Sequence, residues 1–269
     1  MTRLHAAASA LAVTAGALTM LLSLAAAPGS WLTGYVSEAG TATMPYAIPY
    51  RAGLVLLAAG VALLGAALRL PLTSPALFAA AGLAAVSGLV PCSNQCPLPP
   101  YEPTTLADVV HAGATILGML TLALAMTSVW YAATRPSADP PSREQTRSTA
   151  PSGPPATRDA QAVARWWRFV ARRVLSTASV RRLAARGVAR PVPLRRLSAA
   201  AVLLTVPLGA ALGLTMLITG RGPLGAALER LLLAESVLWL VSTAVVLALP
   251  AHAPPTPAGH LSAEAREHS

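Results

Sequence analysis

Residues 197–219 read LSAAAVLLTVPLGAALGLTMLIT, 23 positions without a charged side chain, directly after Arg195 and Arg196. As a helix the run is about 34 Å long at ~1.5 Å per residue, enough to cross roughly 30 Å of bilayer hydrocarbon. A helix also satisfies its own backbone hydrogen bonds, which lipid cannot do for it. Five further apolar stretches follow the same logic, at residues 5–27, 52–70, 75–90, 106–131 and 231–249. Arg69 interrupts the second near its end, and the third is short and borrows from the Pro71–Pro75 turn. The expected fold is all-α: a polytopic membrane helical bundle of six transmembrane helices with the N and C termini cytoplasmic.

Composition agrees. Of the 269 residues, 54% are hydrophobic and 11% are charged, against about a quarter charged in soluble domains. The net charge is +10 and all 20 basic residues are arginine. Because the charge lies beside apolar spans, it points to anionic lipid at the cytoplasmic face rather than to nucleic acid. Residues 132–197 carry 14 of the arginines and residues 91–105 carry none, which places the long insert inside and loops 28–50, 91–105 and 220–230 outside. Arg51, Arg221 and Arg230 fall at outer helix ends, from which an arginine can snorkel to headgroups. The first stretch has two readings. Arg3, an apolar run and Ala25–Ala27 resemble a cleavable signal peptide, whereas the length of the run favours a retained helix.

The chain divides into residues 1–134 (helices one to four), an insert at 135–196, residues 197–250 (helices five and six) and a disordered tail at 251–269. Within the insert, 136–159 is rich in Pro, Ser, Thr and Gly and reads as a disordered linker. Residues 160–190 read as a basic amphipathic helix. Trp166 and Trp167 face one way, with Arg165, Arg168, Arg172 and Arg173 opposite, a pattern suited to the membrane surface. A solvated basic helix is the plainer reading.

The ionisable residues near the spans collect on the outer side. Glu38 lies in the first outer loop, Arg51 opens the second helix, and Asp108 and His111 share a face near the start of the fourth. Glu229 and Arg230 precede the sixth helix, and Glu235 falls one to two turns inside it. Ionisable groups in a span usually face the bundle interior and mark function, so these residues are candidates for a pocket that binds a lipid headgroup or small ligand. In the alternative reading, Asp108 and Glu229 offset helix dipoles and the arginines reach headgroups. His111 with Asp108, Glu38 and Glu235 could in principle hold zinc, but one histidine within the spans is few for such a centre, and the expectation is no metal and no cofactor. No HExxH, GxSxG, P-loop or dinucleotide fingerprint is present. Cys92 and Cys96 sit in an outer loop, as a disulfide or as free thiols. Gly209 and Gly213 form a GxxxG that permits close helix contact.

Three segments resemble the bacterial membrane-protein family called "domain of unknown function 998": Val36-Ser-Glu-Ala-Gly40 with Pro45 and Arg51-Ala-Gly-Leu54; Gly88-Leu-Val-Pro-Cys92 followed by Val110-His-Ala-Gly113; and Ala227-Leu-Glu-Arg-Leu231 with Leu238-Trp-Leu240. The resemblance spans about residues 10–250 and skips the insert. It implies about six helices in a bacterial plasma membrane and no particular activity, and the recurrent polar residues of the family match Ser37, Glu38, His111, Glu229 and Arg230. The expected function is that of a non-enzymatic membrane protein with an outward polar pocket. The alternatives are a membrane-embedded, possibly metal-dependent enzyme and a scaffold acting through the basic insert.

Overall fold

The computed structural model describes residues 1–27, 34–94, 96–97, 102–134 and 191–250. Among them are six α-helices and no strand: α1 (Thr2–Ala26), α2 (Ala47–Leu68), α3 (Thr73–Leu89), α4 (Leu106–Thr134), α5 (Pro191–Thr219) and α6 (Pro223–Ala248). A 3₁₀ segment, Val36–Gly40, lies between α1 and α2. The expected linker at 136–159, the amphipathic helix at 160–190 with its Trp166–Trp167 pair, and the tail at 251–269 lie outside the described residues.

Five helices are long and apolar enough to cross a membrane, and α3, at 17 residues, stands at the short end of the range that can. Large apolar side chains cover the outside. Leu120, Leu203, Leu217 and Ile218 are each more than 60% exposed, an arrangement that water disfavours and lipid accepts. The chain is a multi-pass membrane protein.

Successive helices pack against each other, and α6 packs back against α1, so the six form a closed ring. Short links, Arg69–Leu72 and Gly220–Gly222, make α2/α3 and α5/α6 antiparallel hairpins. One end of the ring gathers the start of α2, α4 and α6 with the close of α1, α3 and α5. The opposite end carries Arg3, Arg69, Arg195 and Arg196. Apolar packing is concentrated toward that arginine end, where Leu64, Leu77, Met126 and Leu240 are fully buried in one cluster with Val61, Leu122 and Trp239. A smaller cluster of Leu24, Val36, Ala39 and Tyr50 lies at the other end.

Small residues let α1 and α2 approach closely. A Cβ added to Gly16 would stand 2.5 Å from the Gly53 carbonyl oxygen, and one added to Gly60 would stand 2.8 Å from the Val13 backbone nitrogen. Ser9, on the same seam, donates to the Gly60 carbonyl at 2.7 Å. This seam, together with the packing of α1 on α6, makes α1 a structural member of the ring. Gly209 and Gly213 play no such part. A Cβ at either meets nothing within 4 Å among the described residues.

Other pairs are joined by single polar contacts. Thr73 meets Ser128 at 2.6 Å across α3 and α4, and the Trp239 indole donates to Ser198 at 3.1 Å across α6 and α5. In a membrane such contacts contribute on the order of 0.6 kcal/mol each, so they set rotation and register while side-chain packing supplies most of the cohesion.

Several helices begin earlier than the apolar runs imply, and α2, which starts at Ala47, takes in Arg51. α5 starts at Pro191 and takes in Arg195 and Arg196, and α6 starts at Pro223 and takes in Glu229 and Arg230. Pro193 and Pro223 sit in first turns, where the missing N–H costs no intrahelical bond. The early start of α6 places Glu235 twelve residues beyond Pro223, about 18 Å along the helix at ~1.5 Å per residue, near its midpoint and well past the one to two turns expected.

The α1–α2 seam yields a direct expectation. Gly60→Leu should lower stability by about 1–3 kcal/mol through overpacking, read as a drop in the thermal midpoint in detergent. Gly82→Ala, where an added Cβ meets nothing within 4 Å, should leave the midpoint unchanged or raise it. Equal midpoints for wild type and Gly60→Leu would refute the seam.

Candidate functional site

Two loops cover the end of the ring opposite Arg3, Arg69, Arg195 and Arg196, each fastened by side chains from helix ends. The first carries the 3₁₀ segment. Glu229, on the second turn of α6, accepts the Val36 N–H at 2.6 Å and also accepts from the Ser37 N–H and hydroxyl. These are amides at the start of a helical segment, which lack internal partners and favour a carboxylate. Arg230 donates to the Gly34 carbonyl at 2.5 Å and to the Ala226 carbonyl at 2.9 Å. Glu38 pairs with Arg221, whose guanidinium lies 5.2 Å from the Tyr35 ring centroid. Tyr35 is buried and its hydroxyl accepts the Gly222 N–H at 3.3 Å. The ring fits there because Gly225 has no side chain, since a Cβ would collide with the Tyr35 hydroxyl. Partial burial pulls the Arg221 pKa below its ordinary value, although an arginine stays charged at physiological pH.

The second loop, after α3, is held by α2 and α4. Arg51 donates to the Gly88 and Leu89 carbonyls, each at 2.8 Å. Those carbonyls close α3 and have no partner further along the helix, so the guanidinium caps them. Asp108 is buried and accepts four bonds: the Ser93 N–H at 2.6 Å and hydroxyl at 2.9 Å, and the Thr105 N–H and hydroxyl, both at 2.7 Å. Thr105 Oγ1 accepts the Asp108 N–H in return at 3.3 Å, so Thr105 and Asp108 form a reciprocal cap on α4. His111 Nδ1 lies 3.0 Å from both the Ser87 and Val90 carbonyl oxygens. Cys92 and Cys96 are joined as a disulfide.

The loops also touch each other. Thr43 donates to Asn94 Oδ1 at 3.2 Å, and the Cys96 sulfur lies 3.7 Å from the Ser37 carbonyl oxygen. Ser37, Glu38, Glu229 and Arg230 therefore converge around the first loop, and Arg51, Asp108 and His111 around the second. Each of these side chains has a protein partner. Their charged groups meet partners within the cover. A hydrogen bond to a charged group is worth about 1.5–3 kcal/mol, so the set is a strong local clamp.

Glu235 stands apart from this cover. One carboxylate oxygen accepts the Thr205 hydroxyl at 2.6 Å, and Thr205 also lies 3.4 Å from the Met126 sulfur. The other oxygen, Oε1, is buried and has no hydrogen-bond partner among the described residues. The surroundings are open on one side. Beyond Thr205 no α5 residue from 206 to 219 is buried, nor is any α4 residue from 115 to 121. Pro207 removes the N–H that would otherwise bond the Leu203 carbonyl.

Tyr35, Ser87, Ser93, Thr105, Thr205 and Arg221 complete these arrangements and were not among the sequence candidates. The Thr105-x-x-Asp108 spacing is readable as a helix start. No local pattern marks Thr205 or Tyr35, whose partners are distant in the chain. No protein family profile matches this chain, and no curated protein and no solved structure matches it.

Proposed function

We propose that the protein is a non-enzymatic, multi-pass protein of the plasma membrane that binds a lipid or other amphipathic ligand, whose polar head donates a hydrogen bond to Glu235. The observation that carries this reading is the buried, partnerless Oε1 of Glu235 near the midpoint of α6. A polar atom left unsatisfied in an apolar medium costs several kcal/mol, on the order of 2–7. Ionisable groups at that depth characteristically meet a substrate, an ion or a proton path. The loosely packed flank of α4 and α5 offers a route from the bilayer. A hydroxyl or ammonium head would satisfy Oε1, and its apolar remainder would fill the flank.

In this reading the loop cover is a fixed roof, with Ser37, Glu38, Arg51, Asp108, His111, Glu229 and Arg230 shaping it. The arginine asymmetry supports an orientation with the roof outside and the termini inside. Arg165, Arg168, Arg172 and Arg173, with Trp166 and Trp167, would meet anionic lipid at the cytoplasmic face. Membership of the "domain of unknown function 998" family, with a bacterial source, belongs to the same proposal and rests on the quoted segments.

Mass spectrometry of the protein purified in mild detergent tests the binding. A bound amphiphile should be at least tenfold depleted in Glu235→Ala and reduced in Thr205→Val, a tenfold loss corresponding to about 1.4 kcal/mol. Identical bound species in wild type and both variants would contradict it. For orientation, alkaline phosphatase fused after Ser269 should be inactive and a fluorescent protein there should fluoresce. The opposite pair of results reverses the topology.

A further inference from the structure

Cys92, Cys96 and His111 come together where the second loop of the roof meets α4, with one donor atom from each within 4.8 Å of the other two. We propose that, when the Cys92–Cys96 disulfide is reduced, these three residues form a binding site for a closed-shell d¹⁰ cation, Zn²⁺ or Cu⁺. The inference is independent of the Glu235 reading.

The donors have the right chemistry. Thiolate and imidazole are the preferred ligands of Zn²⁺, and thiolates also select Cu⁺. With metal–sulfur distances of about 2.3 Å and metal–nitrogen distances of about 2.0 Å, the two sulfurs, now bonded to each other, must part on reduction and settle with the imidazole nitrogen around one ion. Cys96 is half-buried and has room to move, whereas Cys92 and His111 are buried.

Backbone partners fix the tautomer of the histidine. Its Nδ1 faces two carbonyl oxygens at 3.0 Å. Carbonyls only accept, so Nδ1 carries the proton and Nε2 keeps the lone pair. A ring N–H held by a backbone carbonyl is the arrangement that fixes the tautomer of metal-bound histidines.

The loop is also held to the helix that carries the histidine. Asp108, one turn before His111, binds the backbone and side chain of Ser93, between the two cysteines. The Cys96 N–H closes a turn to the Ser93 carbonyl at 3.0 Å. Cys96 takes a left-handed φ of 48°, a conformation that costs a non-glycine residue about 1–2 kcal/mol and is retained here to fold the second sulfur back toward the first. The oxygens of Asp108 are occupied by Ser93 and Thr105, so it is not a ligand. Three protein donors leave a fourth position for water or an exchangeable ligand.

The chemistry balances through a dithiol reductant. Two electrons and two protons pass to the Cys92–Cys96 bond, and the donor ends as its own disulfide. The two thiols then lose their protons as the cation binds. Disulfide and metal are mutually exclusive, so thiol–disulfide exchange sets occupancy.

The test uses the full-length protein in detergent, reduced anaerobically with a phosphine that does not bind metal. Zn²⁺ is titrated against a chromogenic chelator and, separately, Cu⁺ against a Cu⁺-selective chelator. The reduced wild type should take up one equivalent of at least one ion, and the bound ion should protect both cysteines from alkylation. Affinity should fall at least tenfold in Cys96→Ser and His111→Ala, and the oxidised wild type, which keeps the native sequence and fold, should bind none stoichiometrically. Uptake of Zn²⁺ alone or Cu⁺ alone supports the site and names its ion. Absence of stoichiometric uptake of either, or uptake undiminished in the oxidised protein or in Cys96→Ser, would overturn the proposal.

Discussion

The carboxylate of Glu229 receiving the backbone of Val36 and Ser37 is the contact on which the capped end of the bundle depends. The partners are 193 residues apart in the chain, and they join the last helix to the loop between the first two. Helix packing alone brings α6 beside α1. The carboxylate adds direction, because it meets amides that have no other partner among the described residues at the start of the 3₁₀ segment. Arg230, the Glu38–Arg221 pair and the Tyr35 ring seated over Gly225 then fix the loop at further points, and Thr43 ties it to the neighbouring loop.

The bundle is thereby polarised in its means of cohesion. Toward the arginine end, Leu, Val, Met and Trp side chains pack into one cluster, with Thr73–Ser128 and Trp239–Ser198 setting rotation. Lipid is as apolar as these side chains and gives no hydrophobic drive for helices to associate, so close fit must do the work, and the Gly16, Gly53 and Gly60 seam is where it is tightest. At the opposite end polar contacts replace apolar packing. Charged groups with several partners hold loops that would otherwise leave their backbone unsatisfied. Between the two regimes, on the flank of α4 and α5, neither operates fully, and Glu235 lies there.

The helices were legible in the sequence because lipid imposes a simple rule: long runs without charge. All six runs became helices, and the polar residues picked out at the outer helix ends do gather at one end. The rule failed at helix starts. Hydropathy ended the sixth run at Leu231 because Glu229 and Arg230 are charged, yet both are helical, since their partners arrive from a loop nearly 200 residues away. The same distance hid the pairing of Arg221 with Glu38 and misplaced the depth of Glu235. The approach of the cysteines to His111 was equally invisible, because it depends on how the loop after α3 folds back over α4. Gly209 and Gly213 show the converse, a recognised pattern with no close neighbour among the described residues, while the glycines that matter to packing carry no GxxxG signature.

Site-resolved hydrogen exchange at the amides of Val36 and Ser37 tests the closing contact most directly. Glu229→Ala removes the acceptor and leaves the helices intact. Loss of a charged partner is worth about 1.5–3 kcal/mol, so exchange at both amides should accelerate roughly 10- to 100-fold, with the middle of α2 unchanged. Equal exchange in wild type and variant would show that the loop is held by something other than Glu229 and would contradict the account.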